Sequence, residues 1–509
     1  MVVTTAPPKV ISMEKYRSFW QPQGWELITI GPTSTWRQDW GEWEAIRDIV
    51  QNALDEAEGY QWGYDDKGLW IADRGKGVAV ADFLLGPPKA KPDYARGRFG
   101  EGMKIAALAL LRMGYSVYVE TVGREIWVVF LEQKVDGRAE TLGAMWRPNG
   151  IRTGTRFHVI GYTGSAYEDR FAVNLPRKAV LAEGPSRLAE PIRRFNQLLS
   201  PAYTQSPRIY ARDIYMRDIK SLYSYNLWSF DMAPDRHAPR NEQDMWTDVG
   251  RLWCCVTKLD LVRDFLRMVH YPPLVETDET HNVNMEEWAM GAEPKTGKNY
   301  SEFVRENADV WKKAWELNFG DDAIIRTSDR WDNMVKHLGY TPHSVTWHVK
   351  DTLGKAITTD RDIIKASSER LREAQVIPDT RLTPTQLAHL RLARAIVDQV
   401  TPQVVGKLPQ AVYAAIIPPA SDRVRTAGMY SQTTEEIFIS LDQLDRGYRT
   451  VDTVIHELAH HVARQRVVDP AMAEDLQEPH SIAMTEIAGF VVQLTHLGKF
   501  DGLMKEVVW

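Results

Sequence analysis

The stretch VDTVIHELAHHVARQ, residues 451–465, decides how the C-terminal part of this chain is interpreted. On a helix His456 and His460 lie on the same face, one turn apart, so both can bind one metal ion. Glu457 stands beside them and can activate a metal-bound water. An apolar stripe at helical spacing indicates burial of the same helix: Val451, Val454, Ile455, Leu458 and Val462. The stretch therefore predicts an amphipathic helix that carries a zinc site.

A catalytic zinc ion needs a third protein ligand and one open position for water. Two downstream residues are candidates, Glu486 in TEIAGFVVQL and His480 in EPHSIAMTE. His461 points off the metal face and is predicted to be structural. Tyr430 and Tyr448 are the two candidates for a tyrosine that stabilises the oxyanion formed during hydrolysis, and the sequence does not choose between them.

The helix with the H-E-x-x-H motif, the strand EEIFISL before it and the helix with Glu486 after it resemble the zincin metallopeptidases of the glutamate type. That resemblance implies Glu486 as the third zinc ligand, and leaves His480 as a supporting, substrate-contacting or plain surface histidine. It also implies that EEIFISL is an edge strand, antiparallel to bound substrate. The reaction implied is metal-assisted hydrolysis of a peptide bond in a protein or peptide substrate, with Glu457 as the catalytic base.

The N-terminal part carries four short motifs in a fixed order. Each motif is common and carries little information alone. They are Asp48-Ile-Val-Gln-Asn52 on a helix, Asp73-Arg-Gly75-Lys-Gly77 after a strand, Gly97-Arg-Phe99-Gly100-Glu-Gly102-Met103-Lys104 before a helix, and Thr153-Gly154-Thr155 at the start of a strand.

In order and spacing, residues 30–160 resemble the ATP site of the GHKL ATPases, which include DNA gyrase, heat-shock chaperones and histidine kinases. The resemblance implies ATP and Mg²⁺ as cofactors, with Asn52 on magnesium, Asp73 on the adenine amino group and Thr155 at the base of the pocket. The glycines of the third motif would form a lid over the phosphates, and Lys104 would add positive charge there.

One position departs from the family pattern. GHKL ATPases usually have a glutamate as general base four residues before the magnesium-binding asparagine, and this chain has Asp48. Aspartate is one methylene shorter, so hydrolysis is expected to be slow, and the site is a candidate nucleotide sensor. Glu44 lies one further turn back, too far to replace it.

A transducer region usually follows a GHKL domain and supplies a basic residue to the γ-phosphate. The stretch from 208 to 236 is similar to the start of such a region, and Lys220 and Arg236 are the candidate phosphate contacts. The role of residues 237–355 is left open, with a partner or substrate platform as one interpretation.

Periodicity predicts the following elements: helices over 41–57, 359–375, 383–400 and 481–497, strands over 69–72, 116–120, 126–131, 156–160, 411–417 and 436–441, and a hairpin over 208–219. A loop-rich stretch is predicted after the hairpin, and helix, strand, helix and strand signals follow each other in 300–355. The predicted fold is α+β and multidomain: a GHKL α/β sandwich (1–195), a transducer-like region (196–300), a small α/β unit (301–355) and a zincin-like metallopeptidase domain (356–509).

The composition limits the classes of protein to which the chain can belong. The chain has 509 residues, a net charge of -6 and only two cysteines, the adjacent Cys254 and Cys255. Adjacent cysteines exclude a disulfide framework and favour a reducing compartment. The start of the chain lacks the features of a signal peptide, and no apolar run is long enough to span a bilayer, so a cytoplasmic location without membrane association is predicted. The mild acidity disfavours a nucleic-acid partner without excluding one.

Three functional hypotheses follow. The leading one is an ATP-regulated zinc metallopeptidase. The second is an ATP-driven clamp or chaperone-like remodeller, which dimerises when ATP binds and in which the zincin domain is structural or target-binding. The third is an effector of bacterial or phage defence, compatible with the first, that cleaves a partner when triggered.

Overall fold

The computed structural model describes residues 6–56, 59–83, 102–132, 140–164, 167–186, 195–233, 238–421, 423–475 and 477–509. This part of the chain forms two compact units. Unit 1 contains Met1–Leu252 with Glu293–Thr296, and unit 2 contains Trp253–Ala292 with Gly297–Trp509. Both units combine helices with sheets, which confirms the predicted α+β class. The division at residues 195, 300 and 355 stays a prediction.

An eight-stranded sheet forms the first part of unit 1. Its strands are β1 (Val10–Ile11), β2 (Glu26–Thr33), β3 (Gln61–Asp65), β4 (Gly68–Asp73), β5 (Ser116–Thr121), β6 (Arg124–Leu131), β7 (Thr141–Pro148) and β8 (Thr155–Ile160). The order is β2-β7-β6-β5-β8-β4-β3, with antiparallel neighbours throughout. Strand β1 pairs in parallel with the end of β6, beyond the residues that pair with β5.

Helices cover one face of this sheet. Helices α2 (Glu42–Asp55) and α3 (Gly102–Arg112) lie on this face. The other helices that begin in unit 1 are α1 (Met13–Lys15), in the N-terminal segment, and α4 (Glu242–Cys254), whose last two residues belong to unit 2. Helix α2 buries Ile46, Ile49, Val50 and Ala53, which recur at the spacing of one helix face, and it packs against α3 and β4. The helix predicted over 41–57 is thereby confirmed, with ends at Glu42 and Asp55.

The other face of the sheet is covered by the N-terminal segment. Trp20 and Trp25 are buried there with Trp127 and Val129 of β6. Alternate residues of β6, such as Val128, belong to the helix-covered face. Both faces of β6 are therefore buried, which explains why REIWVVFL is an almost continuous apolar run.

A second sheet completes unit 1. It contains β9 (Val180–Pro185), β10 (Phe195–Leu199), β11 (Arg208–Ala211), β12 (Ile214–Asp218) and β13 (Ser224–Leu227), in the order β12-β11-β13-β10-β9. The predicted hairpin over 208–219 is confirmed by the antiparallel pair β11 and β12. The prediction of a loop-rich stretch after it is wrong in part, because β13 and α4 lie there.

Unit 2 begins with helices around a three-stranded sheet of order β14-β16-β15. Its elements are α5 (Leu259–Val269), β14 (His270–Tyr271), α6 (Glu279–Asn282), α7 (Glu287–Met290), α8 (Tyr300–Glu306), α9 (Ala308–Phe319), β15 (Ala323–Ile325), α10 (Asp332–His337), β16 (Thr341–Val345) and α11 (Trp347–Leu353). The helix, strand, helix and strand signals predicted in 300–355 are confirmed by α9, β15, α10 and β16.

The rest of unit 2 is a four-stranded sheet with helices. Its elements are α12 (Asp360–Leu371), β17 (Gln375–Ile377), α13 (Pro384–Val404), β18 (Ala411–Ile416), β19 (Gly428–Ser431), β20 (Glu436–Ser440), α14 (Gly447–Arg466), α15 (Glu478–His496) and α16 (Asp501–Met504). The strand order is β17-β18-β20-β19, with β18 and β20 parallel. The helix predicted over 359–375 ends earlier, because Gln375 begins a strand that pairs with β18.

The sequence predicted the stripe on α14 correctly. Val454, Leu458 and Val462 have no exposed surface and belong to a core that also includes residues of α13, α15, β18 and β20. Among the helices in the described ranges, none is long and apolar enough to cross a membrane.

Candidate functional site

Two packed helices of unit 2 bring three imidazoles together. His456 and His460 lie one turn apart on α14, and His480 lies in the first turn of α15. The ring centres of His456 and His460 are 5.1 Å apart, and that of His480 is 5.0 Å and 4.2 Å from them. The packing of α15 on α14 therefore places His480 in the group, although the sequence left its role open.

A carboxylate joins the three imidazoles. Asp475 precedes α15, and its Oδ1 lies 3.0 Å from Nε2 of His456 and 3.2 Å from Nε2 of His460. The four side chains each offer one ligand atom, and these atoms lie within 4.8 Å of one another. Histidine nitrogen and carboxylate oxygen are ligands that zinc accepts, so the group has the composition of a metal site.

The site residue predicted as the third ligand lies elsewhere. Glu486 is exposed and pairs with Arg466 of α14 at 2.7 Å. A helix turns about 100° per residue, so Glu486 is about 240° around α15 from His480. His480, Ala483 and Ile487 form the buried face, and the same helix cannot present Glu486 beside them. The assignment of Glu486 is corrected: in this arrangement the acidic member of the group is Asp475.

The sequence did not lead to Asp475 as a candidate metal ligand. It lies in the short connection between the two helices, in AEDLQEPH, five residues before His480. The available signal was an acidic residue in the segment that joins two predicted metal-site helices. That signal is weak, because three acidic residues, Glu474, Asp475 and Glu478, stand within five positions.

Hydrogen bonds to the backbone fix the rings. Nδ1 of His460 lies 2.8 Å from the Ala473 carbonyl oxygen and donates its proton there, so Nε2 is the ring nitrogen that faces the group. His480 is 3% exposed. Burial and the neighbouring His460 and His456 lower the pKa of His480 to about 4, so it is neutral at pH 7.

Asp475 and its partners shift each other's pKa values. The hydrogen bond to Asp475 raises the pKa of His456. Burial opposes a charge on His460, but the hydrogen bond to Asp475 and the nearby Glu457 outweigh burial and raise its pKa to about 9. Burial likewise opposes a charge on Asp475, and the two histidines overcome it and hold its pKa far below the usual range.

Glu457 lies beside the group in a confined space. It is 5% exposed, and its carboxylate accepts a hydrogen bond from the backbone N–H of Tyr430 on β19. Burial raises the pKa of Glu457. A Cβ atom on Gly428 of the same strand would lie 2.7 Å from Glu457 Cγ and 2.6 Å from Thr453 Cγ2. The absence of a side chain at Gly428 therefore lets β19 lie directly on Glu457.

The other predicted residues of this region lie outside the group. His461 is held by the Tyr430 hydroxyl at 3.1 Å and the Lys407 carbonyl at 2.8 Å, in line with the predicted structural role. The Tyr430 hydroxyl is thus engaged with His461. Tyr448 lies eight residues before His456, about 12 Å away along α14. Neither of the two tyrosines considered for the oxyanion is placed next to the ligand atoms.

The strand predicted to form the sheet edge is internal. Glu436–Ser440, which is β20, lies between β18 and β19. The two edge strands of this sheet are β17 and β19, and the sequence did not predict β19 as a strand. Tyr430 of β19 contacts His461 of α14, so the edge strand and the metal-site helix are direct neighbours.

In unit 1, the second and fourth motifs meet at one end of the sheet. Asp73 at the end of β4 pairs in register with Thr155 at the start of β8. The Asp73 carboxylate accepts a hydrogen bond from the Gly75 N–H at 2.8 Å, and Gly154 N–H donates to the Gly75 carbonyl at 2.9 Å. Burial raises the pKa of Asp73.

Gly77 and Thr155 lie next to the end of β5. Gly77 has a φ of +86°, and a Cβ atom there would lie 2.8 Å from Val122. Thr121 accepts from the Val78 N–H at 2.7 Å, and its hydroxyl lies 3.1 Å from that of Thr155. The fold thus brings the second and fourth motifs together around a threonine pair.

Gly102, the first described residue of the third motif, meets the first motif where α2 contacts the start of α3. Asp48 is 4% exposed, its Oδ1 lies 3.6 Å from Arg47 Nε, and its Oδ2 lies directly against Gly102. Asn52 is one turn further along α2 and is partly exposed. Lys104 is 3% exposed and therefore is not a solvated surface lysine. Met103 is partly buried against the core of unit 1.

Some of the predicted residues carry no structural statement. Gly97, Phe99, Gly100 and Arg236 lie outside the described residues. Lys220 follows β12 and is exposed. The sequence matches no protein-family model, and no curated protein matches it.

Proposed function

We propose that this protein is a zinc metallopeptidase whose activity is controlled by ATP. The observation that carries the proposal is that the Nε2 atoms of His456, His460 and His480 lie within 3.9 Å of one Asp475 oxygen, in a group that interacts with Glu457. Three imidazoles on two packed helices form a donor set that suits zinc. His480 is already neutral at pH 7, the form that binds a metal, whereas His456 and His460, whose pKa values are raised by Asp475 in the ion-free protein, would release a proton when zinc binds. Zinc bound there would polarise a substrate carbonyl and lower the pKa of a bound water.

Glu457 is the proposed catalytic base. It follows His456 on α14, and burial raises its pKa, which strengthens it as a proton acceptor. In the proposed reaction its carboxylate takes one proton from the attacking water and delivers it to the amine nitrogen as the C–N bond breaks. The Tyr430 N–H holds this carboxylate in place.

Strand β19 is the proposed substrate-binding edge. It ends the sheet, and its Gly428 touches the Glu457 side chain. An extended peptide that adds to a sheet edge gains backbone hydrogen bonds without needing a particular sequence. A peptide on β19 would pass beside Glu457, which supports peptide bonds as the bonds hydrolysed.

The ATP part of the proposal rests on unit 1. Asp73, Gly75, Gly77 and Thr155 meet at one end of the eight-stranded sheet, as expected for the GHKL adenine pocket. Asn52 is the proposed magnesium ligand. Asp48 is the proposed base for ATP. Its side chain is one methylene shorter than that of glutamate and packs against Gly102, which favours slow hydrolysis or sensing.

A second function is supported by Asp475. Four protein ligands would fill the coordination of a tetrahedral zinc ion, and such closed sites are structural. The alternative is therefore an ATP-driven clamp or remodeller, dimeric with ATP bound, in which unit 2 holds a structural zinc and binds a target.

The test begins with metal content. Elemental mass spectrometry of the purified full chain should give about one zinc per chain, and His480→Ala should lose it. Glu486→Ala is the matched control, because Glu486 is an exposed acidic residue on the same helix and should leave the zinc in place. Zinc that is lost with Glu486→Ala and kept with His480→Ala would contradict the assignment.

Peptidase activity separates the two functions. A mixture of fluorescence-quenched peptides should be cleaved by the wild type with ATP and Mg²⁺, and not by Glu457→Gln, although the variant keeps its zinc. Zinc binding without cleavage under any nucleotide condition, together with ATP-dependent dimerisation, would favour the clamp.

A further inference from the structure

The segment that joins α14 to α15 contacts the metal-ligand group. This connector, residues 467–477, supplies the Ala473 carbonyl that accepts from His460 Nδ1 at 2.8 Å. It also supplies Asp475, whose Oδ1 faces all three imidazoles. The helices hold the histidines, whereas Asp475 belongs to neither helix.

The distances locate the Asp475 oxygen relative to a zinc ion. Oδ1 lies 3.0 Å from His456 Nε2, 3.2 Å from His460 Nε2 and 3.9 Å from His480 Nε2. In a tetrahedral site with bonds of about 2.0–2.1 Å, neighbouring ligand atoms are about 3.3 Å apart. An atom in the place of the ion would lie about 2 Å from each nitrogen. Two of the three distances, to His456 and His460, are close to that separation, so the Asp475 oxygen lies where a further ligand beside these two histidines would lie.

We propose that Asp475 is a fourth, exchangeable zinc ligand that keeps the site closed until the connector moves. This inference rests on the proposed zinc peptidase. With Asp475 bound, zinc has four protein ligands and no position for the attacking water. Opening is a ligand exchange: the bond between the ion and the Asp475 oxygen breaks, the carboxylate leaves as an anion, and a water oxygen takes the vacated corner. No electron transfer is involved.

Asp475 is the ligand best able to leave. His456 and His460 are fixed within a helix of 20 residues, and His480 is buried on the face of α15 that packs into the core. Moving any histidine would disturb that core, whereas Asp475 can move with the connector while both helices stay in place. Glu457 stays beside the opened position, because it belongs to α14.

A contact at the end of β19 links substrate binding to the connector. Gln432 directly follows β19, and its amide donates to Glu474 of the connector at 2.8 Å. Glu474 is the neighbour of Asp475. A peptide that adds to β19 would reach this hydrogen bond and compete for Gln432, which would loosen the connector where Asp475 is held.

Cobalt substitution tests the inference, because the visible spectrum of Co²⁺ reports its coordination. The full chain is loaded with Co²⁺ as wild type, Asp475→Asn and Asp475→Ala, with Asp469→Asn as the control on the same connector. Asp469 is exposed and pairs with Arg330 instead of the histidines. Azide is added as a small ligand that binds only to an open coordination position. Circular dichroism checks that each variant is folded.

The expected result is one bound Co²⁺ per chain in all four proteins, with a spectrum that changes in both Asp475 variants and not in Asp469→Asn. Azide should shift the spectrum of the Asp475 variants and leave that of the wild type unchanged. Identical spectra and identical azide responses in wild type and Asp475 variants would overturn the inference and leave the peptidase proposal intact. Loss of the ion from folded Asp475→Asn would show a permanent ligand and would also overturn it. A wild type that binds no metal would refute both proposals.

Discussion

Replacing Gly428 by alanine should disturb Glu457 without removing any predicted metal ligand. The added Cβ would lie 2.6 Å from Thr453 Cγ2 and 2.7 Å from Glu457 Cγ. Carbon atoms in contact prefer about 3.5–4.0 Å, so strand β19 and helix α14 must separate by about 1 Å. Thr453 and Glu457 are one turn apart on α14 and are 4% and 5% exposed, so neither has room to turn away.

This crowding should lower both the stability of the protein and its rate of peptide cleavage. Overpacking a well-packed site destabilises by about 1–3 kcal/mol, and alanine regains only about 0.4–1 kcal/mol by restricting the unfolded chain. The net change should lower the melting temperature of unit 2 by a few degrees. A displacement of about 1 Å at a catalytic group costs about 100-fold in rate, so peptide cleavage should fall by about that factor while zinc stays bound.

The change in melting temperature is measured by calorimetry of the full chain. Zinc content is measured by elemental analysis, and the cleavage rate by the quenched-peptide assay. Gly489→Ala is the matched control, because Gly489 lies on α15 and a Cβ atom there meets nothing within 4 Å. It should stabilise by about 0.5–1 kcal/mol and leave cleavage unchanged. A Gly428→Ala protein with the stability and cleavage rate of the wild type would refute the placement of β19 on Glu457.

Three further outcomes are expected. Glu457→Gln should keep its zinc and lose about 10²–10⁴-fold in cleavage rate, and a variant that cleaves at the wild-type rate would remove Glu457 as the base. Asp73→Asn should weaken ATP binding in calorimetry, with the exposed turn residue Asp66→Asn as the unaffected control; equal affinities would refute the adenine contact. The pKa of His460 is raised from 6.5 to about 9, so its ionic contribution to the stability of the zinc-free protein is complete below pH 6.5 and is lost as the pH rises through about 9. Urea titrations across this window should show the loss in the wild type and a smaller loss in Asp475→Asn, and equal slopes in both proteins would contradict the assigned cause.

The sequence was most informative where the signal is local. The stripe of α14 and the i, i+4 pair of His456 and His460 depend only on helix geometry, and the structure has both. Asp475 and His480 join them through the packing of α15 on α14, which periodicity does not specify. Glu486 was favoured by an analogy of spacing, but the rotation of α15 about its axis turns that residue outwards.

The strand order of the C-terminal sheet is a second feature that the sequence did not predict. An alternating pattern predicted β20 correctly as a strand, since it needs only two-residue periodicity. Which strand ends the sheet depends on the strand order, and β19 takes that place with a segment of only four residues, GMYS, which has no clear alternation. In unit 1, Asp73 and Thr155 meet because Asp73 ends β4 and Thr155 begins its antiparallel neighbour β8.

The burial of both faces of β6 also has a consequence during synthesis of the chain. Strand β1 pairs with β6 between Val10 and Phe130, which are 120 positions apart. At about 5–20 residues per second, the ribosome needs roughly 6–24 s to make the intervening chain. During that time Trp20 and Trp25 have no sheet to cover. Nascent chains of unit 1 should therefore present an apolar N-terminal segment to chaperones until β6 emerges, and then bury it in a single late step.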